Sequence, residues 1–137
     1  MTPLLLDTCA AIWMAEDKPV AASAVEALDA AAREAAPVFI SPMSAWGVGL
    51  LVAKRKVTLS MSPEAWFRRV LEIPGVVLAE LSAEALIASS FLPGTPPRDP
   101  VDRIIAATAR AGGYRLVTRD RQLLAYAEQG HLAALAC

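Results

Sequence analysis

Short apolar runs alternate along the chain with longer stretches in which apolar residues recur every three or four positions. The runs are Leu4-Leu5-Leu6, Val38-Phe39-Ile40, Val76-Val77-Leu78 and the Leu116-Val117 centre of Arg115 to Thr118. Uninterrupted apolar runs of this length suit strands covered on both faces, as in a parallel sheet. The stretches between them predict helices, and polar residues mark where these begin. Asp7 precedes Thr8 to Met14, and an Ala-rich segment runs from Ser23 to Ala36. Ser41-Pro42 opens a helix whose apolar face is expected to be Met43, Trp46, Leu50, Ala53 and Val57. Ser62-Pro63 and Ser82 open two more. Asp99-Pro100 opens another, with Val101, Ile104, Ile105, Thr108 and Ala109 inward and Gly112-Gly113 as its stop. Asp120 caps a last helix bearing Leu123, Leu124 and Ala127, and Leu132 to Leu135 is predicted as a weak edge strand. Ser, Asp and a following Pro suit helix starts because the side-chain oxygen accepts an orphan N–H and Pro has none to lose.

Strands alternating with helices predict an α/β fold with three layers, α/β/α, around a central parallel sheet of four to five short strands. The 137 residues suffice for one domain over 1–137, and no linker, repeat or low-complexity tract divides them. A net charge of −1 carries no global basic signature, so any nucleic-acid contact has to come from local patches. Two cysteines, Cys9 and Cys137, make a disulfide framework unlikely to be the organising device. That usage, the absence of a signal-like N-terminus and the lack of a long apolar run predict a cytoplasmic protein with no membrane partner.

The chemistry resides in the acids. Asp7 and Asp120 each follow a buried strand directly, where the functional crevice of an open α/β sheet lies. Asp99 and Asp102 stand at a helix start that can turn toward the same crevice. Carboxylates gathered there repel one another unless a cation lies among them, and an oxygen-only set without His or Cys favours Mg²⁺ or Mn²⁺ over Zn²⁺. Each aspartate is equally a good helix cap, and Asp102 is also placed to return a capping-box bond to Asp99. Residue pattern alone leaves both roles open.

Four blocks in order, L-L-L-D-T-C-A-A-I-W, I-S-P-M-S-A-W with L-L-V-A-K-R-K-V, R-D-P-V-D-R-I-I-A-A-T-A, and L-V-T-R-D, resemble PIN domains over essentially the whole chain. The VapC-type toxins of bacterial toxin–antitoxin pairs are the most similar subgroup. The resemblance implies a metal-dependent endoribonuclease, dimeric, hydrolysing RNA phosphodiesters and neutralised by an antitoxin protein. It implies Asp7, Asp102 and Asp120 as metal ligands, Asp99 as an accessory acid, and Thr118 as a hydroxyl that orients a ligand or water, with Ser44 and Thr8 in similar service. The family's remaining acid normally follows the Trp of the third helix, and Gly47 stands there instead. No Asp or Glu between Ile40 and Pro63 can replace it. Reduced activity is therefore expected, with a catalytically silent module that binds antitoxin, with or without RNA, as the alternative.

Arg98, Arg103, Arg119 and Arg121 flank the acids and are candidate contacts for RNA phosphates. The run Lys54 to Lys56 reads as a solvated helix end suited to the dipole, or as an extension of that track. Trp13, Trp46 and Trp66 are expected in the core or a dimer contact, Cys9 as a small buried residue, and His131 as structural. An aspartyl-phosphate protein using Asp7 as nucleophile would want a second acid two residues on and a late lysine, and Cys9 and Arg119 occupy those surroundings instead.

Overall fold

A computed structural model describes residues 2–137. In chain order the elements are β1 (Leu4–Leu6), α1 (Thr8–Ala15), α2 (Ala22–Arg33), β2 (Val38–Ile40), α3 (Met43–Ala53) and α4 (Pro63–Glu72). They continue with β3 (Val76–Leu78), α5 (Ala83–Ala88), α6 (Pro100–Gly112), β4 (Arg115–Thr118), α7 (Arg121–Glu128) and β5 (Ala134–Ala136). All strand pairs are parallel, and the sheet order is β3-β2-β1-β4-β5. The first strand lies at the centre, so the chain builds outward on one side and then returns to build on the other. That reversal falls between β1 and β4 and makes the gap beyond their carboxyl ends the natural place for a site.

Strand alternation sorts the core into two layers. Leu4 and Leu6 of β1 and Val117 of β4 pack with Ala10, Ile12, Ala24, Trp66 and Val70 from α1, α2 and α4. Leu5 and Leu116 point the other way, against Val101, Ile105, Leu123 and Tyr126 from α6 and α7. Burial of both faces suits the apolar triplet of the central β1, whereas β3 at the sheet edge leaves Val77 and Leu78 43% and 46% exposed, against expectation. The predicted caps form: Ser62 and Ser82 accept from Ala65 N and Ala85 N, at 3.2 and 3.1 Å. Gly113 takes φ +67°, the left-handed conformation that ends α6 at little steric cost.

Several expectations need correction. On α3 the buried residues are Ser44, Gly47 and Val48, whereas Trp46 is 51% exposed and Val57 lies past the helix. Nearly every residue of α3 is apolar or small, so periodicity distinguished no face, and docking on its neighbours chose the small one. Ile104 is only half-buried on α6. The second helix ends at Arg33, short of the expected Ala36. The last strand begins two residues later than predicted, its register set by pairing of Leu116 with Ala134. Cys9 is exposed, because the first turn of α1 opens onto the crevice. Of the tryptophans, Trp66 is buried and Trp13 half-buried. His131 stacks on Tyr126, ring centroids 5.3 Å apart. No helix among the described residues is long and apolar enough to cross a membrane.

Candidate functional site

The crevice at the sheet reversal is a cleft of roughly 230 Å³. Asp7, Thr8, Cys9, Gly47, Leu50, Leu51, Lys54, Lys56, Asp99, Val101, Asp102 and Asp120 line it, so all four candidate acids and the glycine share one space.

Three of the acids are also helix caps, and the two roles coexist because one oxygen caps while others remain. Asp7 Oδ1 accepts from Ala10 N at 2.7 Å. Asp120 Oδ1 accepts from Leu123 N at 3.0 Å. Asp99 Oδ1 accepts from Val101 N at 2.8 Å and from Asp102 N at 3.2 Å, so Asp99 alone performs the cap and the Asp102 carboxyl stands outside it. Strand ends fix the positions of Asp7 and Asp120, since Asp7 N donates to Val117 O across the β1–β4 pair.

Thr118 joins the two strand-end acids. Its hydroxyl donates to Asp7 Oδ2 and accepts from Asp120 N, the latter at 3.0 Å. Completely buried, it has no alternative partner in solvent. A second link, Thr8 Oγ1 donating to Ser44 Oγ at 3.1 Å, ties α1 to α3 behind the cleft.

The carboxyls feel both burial and one another. Burial pushes Asp7 up to about 6, against the lowering effect of its bonds from Thr118 and Ala10, with the Asp120 charge raising it further. Asp102 is raised to about 7, first by desolvation and then by the charges of Asp99, Asp120 and Asp7. Desolvation and the charges of Asp7, Asp102 and Asp120 likewise push the Cys9 thiol up to about 11, so at neutral pH it is protonated and no nucleophile.

Mutual repulsion among oxygen donors is the condition a hard divalent cation relieves, and in donor chemistry Asp7, Asp102 and Asp120 fit one. Magnesium keeps several waters, so three carboxylates are sufficient in number. The geometry is looser than the chemistry. Among the described residues no three His, Cys, Asp or Glu side chains come together as a ready ligand group. Position 47 contributes nothing, and its space is closed. A Cβ built on Gly47 would lie 2.9 Å from Thr8 Oγ1 and 3.3 Å from both Thr8 Cγ2 and Val101 Cγ1.

The arginines beside the acids in sequence do not line the cleft. Arg103 donates to Ser89 O and Pro97 O, at 2.9 and 3.2 Å, fastening the loop ahead of α6. Arg119 stacks 3.7 Å from the Trp13 ring and donates to Cys137 O at 2.7 Å. Arg98 and Arg121 are exposed. Lys54 and Lys56 do line the cleft, where the sequence left their run open between a helix-end charge and an extension of the phosphate track.

The raised Asp102 gives a sign-definite expectation. Its folded value lies above the unfolded one near 4, so its favourable contribution is full below about pH 4 and lost as pH rises through about 7. Asp102→Asn should therefore leave the melting temperature near pH 4 little changed and raise it by a few degrees at pH 8. Thermal unfolding at both pH values checks this, and an equal shift at both would show that ionising Asp102 carries no penalty in the fold.

Known proteins resemble this chain along most of its length. The PIN domain family profile matches residues 4–129. Ribonuclease VapC22 of Mycobacterium tuberculosis (strain ATCC 25618 / H37Rv) is 32% identical over 124 residues, covering 90% of this chain and 91% of that protein. Among solved structures, VapBC2 from Rickettsia felis, bound to a DNA fragment from its promoter, superposes with a TM-score of 0.69 at 16% identity, covering 98% of each chain. DNA-bound VapBC from Salmonella typhimurium superposes at 0.61 with 21% identity, covering 99% of this chain and 98% of the other. At these identities the structural likeness speaks to fold.

Proposed function

This chain belongs to the PIN-domain family, in its VapC-type branch, and from that premise we propose that it is an endoribonuclease toxin acting on RNA phosphodiesters with a divalent cation, weakened by glycine at position 47. The observation that carries the proposal is the gathering of Asp7, Asp99, Asp102 and Asp120 in one cleft at the sheet reversal.

Asp7, Asp102 and Asp120 would hold Mg²⁺ or Mn²⁺. Such an ion, when bound, supplies a lowered water pKa and neutralisation of charge on the phosphate. The chain's own residues prepare the rest. Thr118 and Ala10 N restrain both oxygens of Asp7, so its carboxylate presents one fixed edge to the cleft. Thr118 also couples Asp7 to the Asp120 main chain, holding the two strand ends in step. Asp102, outside any cap, leaves its carboxyl available to the cation. Asp99 sets the first turn of α6 and thereby aims Asp102. Arg98 and Arg121, exposed and next in sequence to Asp99 and Asp120, are proposed as outer phosphate contacts, whereas Arg103 and Arg119 serve the scaffold.

A cognate antitoxin is the proposed protein partner, supported by the solved neighbours being VapBC assemblies. A homodimer is proposed on the family likeness. The second reading, a silent module that binds without cutting, is favoured by one observation: Thr8 and Val101 close the space beside Gly47. Cleavage of structured RNA by the chain and by Gly47→Glu, in Mg²⁺ or Mn²⁺ and in chelator, separates the two. Cation-dependent cutting by the variant supports the weakened nuclease, and none by either protein supports the silent module.

A further inference from the structure

We propose that Lys54 and Lys56 form the phosphate grip of this cleft, holding the RNA backbone on the α3 side while the acids stand on the other. The proposal rests on the nuclease reading and adds to it the residues that hold the substrate.

Three observations lead there. Lys54 and Lys56 are the basic residues in the cleft lining, which otherwise consists of four acids, small polar groups and the apolar Leu50, Leu51 and Val101. A polyanion entering so acidic a space needs local positive charge, and a net charge of −1 provides none from the molecule as a whole. Of the arginines nearer the acids in sequence, Arg103 is committed to carbonyls of the loop before α6 and Arg119 to Trp13 and Cys137 O, while Arg98 and Arg121 are exposed outside the cleft lining.

The backbone puts both lysines on the same side. Helix α3 ends in a left-handed turn in which Lys56 N donates to Leu51 O at 2.9 Å and Arg55 N to Val52 O at 3.0 Å. Such a turn ordinarily takes glycine at its left-handed position, and here Arg55 occupies it with φ +58°. A non-glycine residue there costs about 1 kcal/mol or more. The turn folds the chain back over the end of α3, so Lys54 and Lys56 enter the cleft lining while the intervening Arg55 stays out. All three are exposed, so their replacement leaves the core untouched.

The test reads binding and does not need the chain to cut. A fluorescent RNA stem-loop is titrated with the chain, with Lys54→Ala/Lys56→Ala, and with Arg55→Gly, by anisotropy across a salt series in Mg²⁺. Circular dichroism melts verify that each is folded. Each lysine lost from a phosphate contact should weaken binding and reduce the slope of log affinity against log salt by about 1, so the double variant should lose about 2. Arg55→Gly removes one charge between them, relieves the strained turn and should leave the slope nearly unchanged. If the chain binds RNA and the lysine variant binds it equally well, the grip is elsewhere and the proposal is wrong. If Arg55→Gly weakens binding as much per charge as the lysine pair, the effect is diffuse and the proposal is wrong too. Should the chain itself bind no RNA even at low salt, the nuclease reading fails before the lysines are in question.

Discussion

Gly47→Glu is expected to raise cation-dependent RNA cleavage by about a hundredfold or more over the unaltered chain. Residues merely supporting a metal ligand are worth about 10- to 100-fold, and a missing ligand should be worth at least as much. The position lines the cleft with Asp7, Asp102 and Asp120, so a carboxylate there would join them. Accommodation is the obstacle. The new Cβ meets Thr8 Oγ1 at 2.9 Å, and Thr8 is a β-branched side chain whose hydroxyl is bonded to Ser44. Thr8 must therefore rotate and surrender that bond, at a cost of about 1–3 kcal/mol typical of overpacking. Adding Thr8→Ser, which removes the methyl at 3.3 Å and loosens the rotamer, should recover much of the stability while keeping the activity. Melting curves and initial cleavage rates of the single and double variants check both halves. A stable, folded double variant that still does not cut would sink the claim that a single missing acid limits this site.

Thr118→Val is expected to destabilise the protein mainly above pH 6. Valine preserves shape, so the change isolates the hydroxyl that donates to Asp7 and accepts from Asp120 N. Asp7 has a folded value near 6, above its unfolded 3.8, so its contribution to stability is full below about pH 4 and lost as pH rises through 6. The Thr118 bond opposes that shift, and removing it moves the folded value further up. At pH 5 the buried carboxyl is largely protonated, and the variant loses little more than neutral hydrogen bonds, about 0.5–1.5 kcal/mol each. At pH 8 it must either stay ionised without its donor or take up a proton, adding about 1–3 kcal/mol for the unsatisfied charged group. Urea unfolding at the two pH values measures the difference, and Thr118→Ser should restore the parent profile. An identical loss at pH 5 and pH 8 would mean that the hydroxyl serves packing and not the charge on Asp7.

Much of the architecture was legible in the residues. Apolar runs without polar alternation suit strands of a parallel sheet, although the edge run Val76-Val77-Leu78 stays largely exposed, and their interleaving with capped helices admits few arrangements besides a layered sheet. Asp7, Ser62, Ser82, Asp99 and Asp120 announced helix starts because a side-chain oxygen beside an orphan N–H is a local matter. Which side of α3 faces inward was not legible, since a helix built almost wholly of apolar and small residues carries no contrast from which to choose. Nor was the exposure of Cys9, which follows from the crevice that opens over the start of α1.

By itself the sequence determined the elements, the strand-end placement of Asp7 and Asp120, and the glycine where an acid was expected, because these depend on neighbours a few residues away. Only the tertiary structure decided the sheet order, and with it that positions 7, 47, 99, 102 and 120 share one cleft. It also decided that Thr118 bridges two acids, that Thr8 closes the space beside Gly47, and that the lysines following α3 rather than the arginines beside the acids enter the cleft. Those facts depend on contacts between segments as much as 111 residues apart, and no local pattern of propensity or charge encodes them.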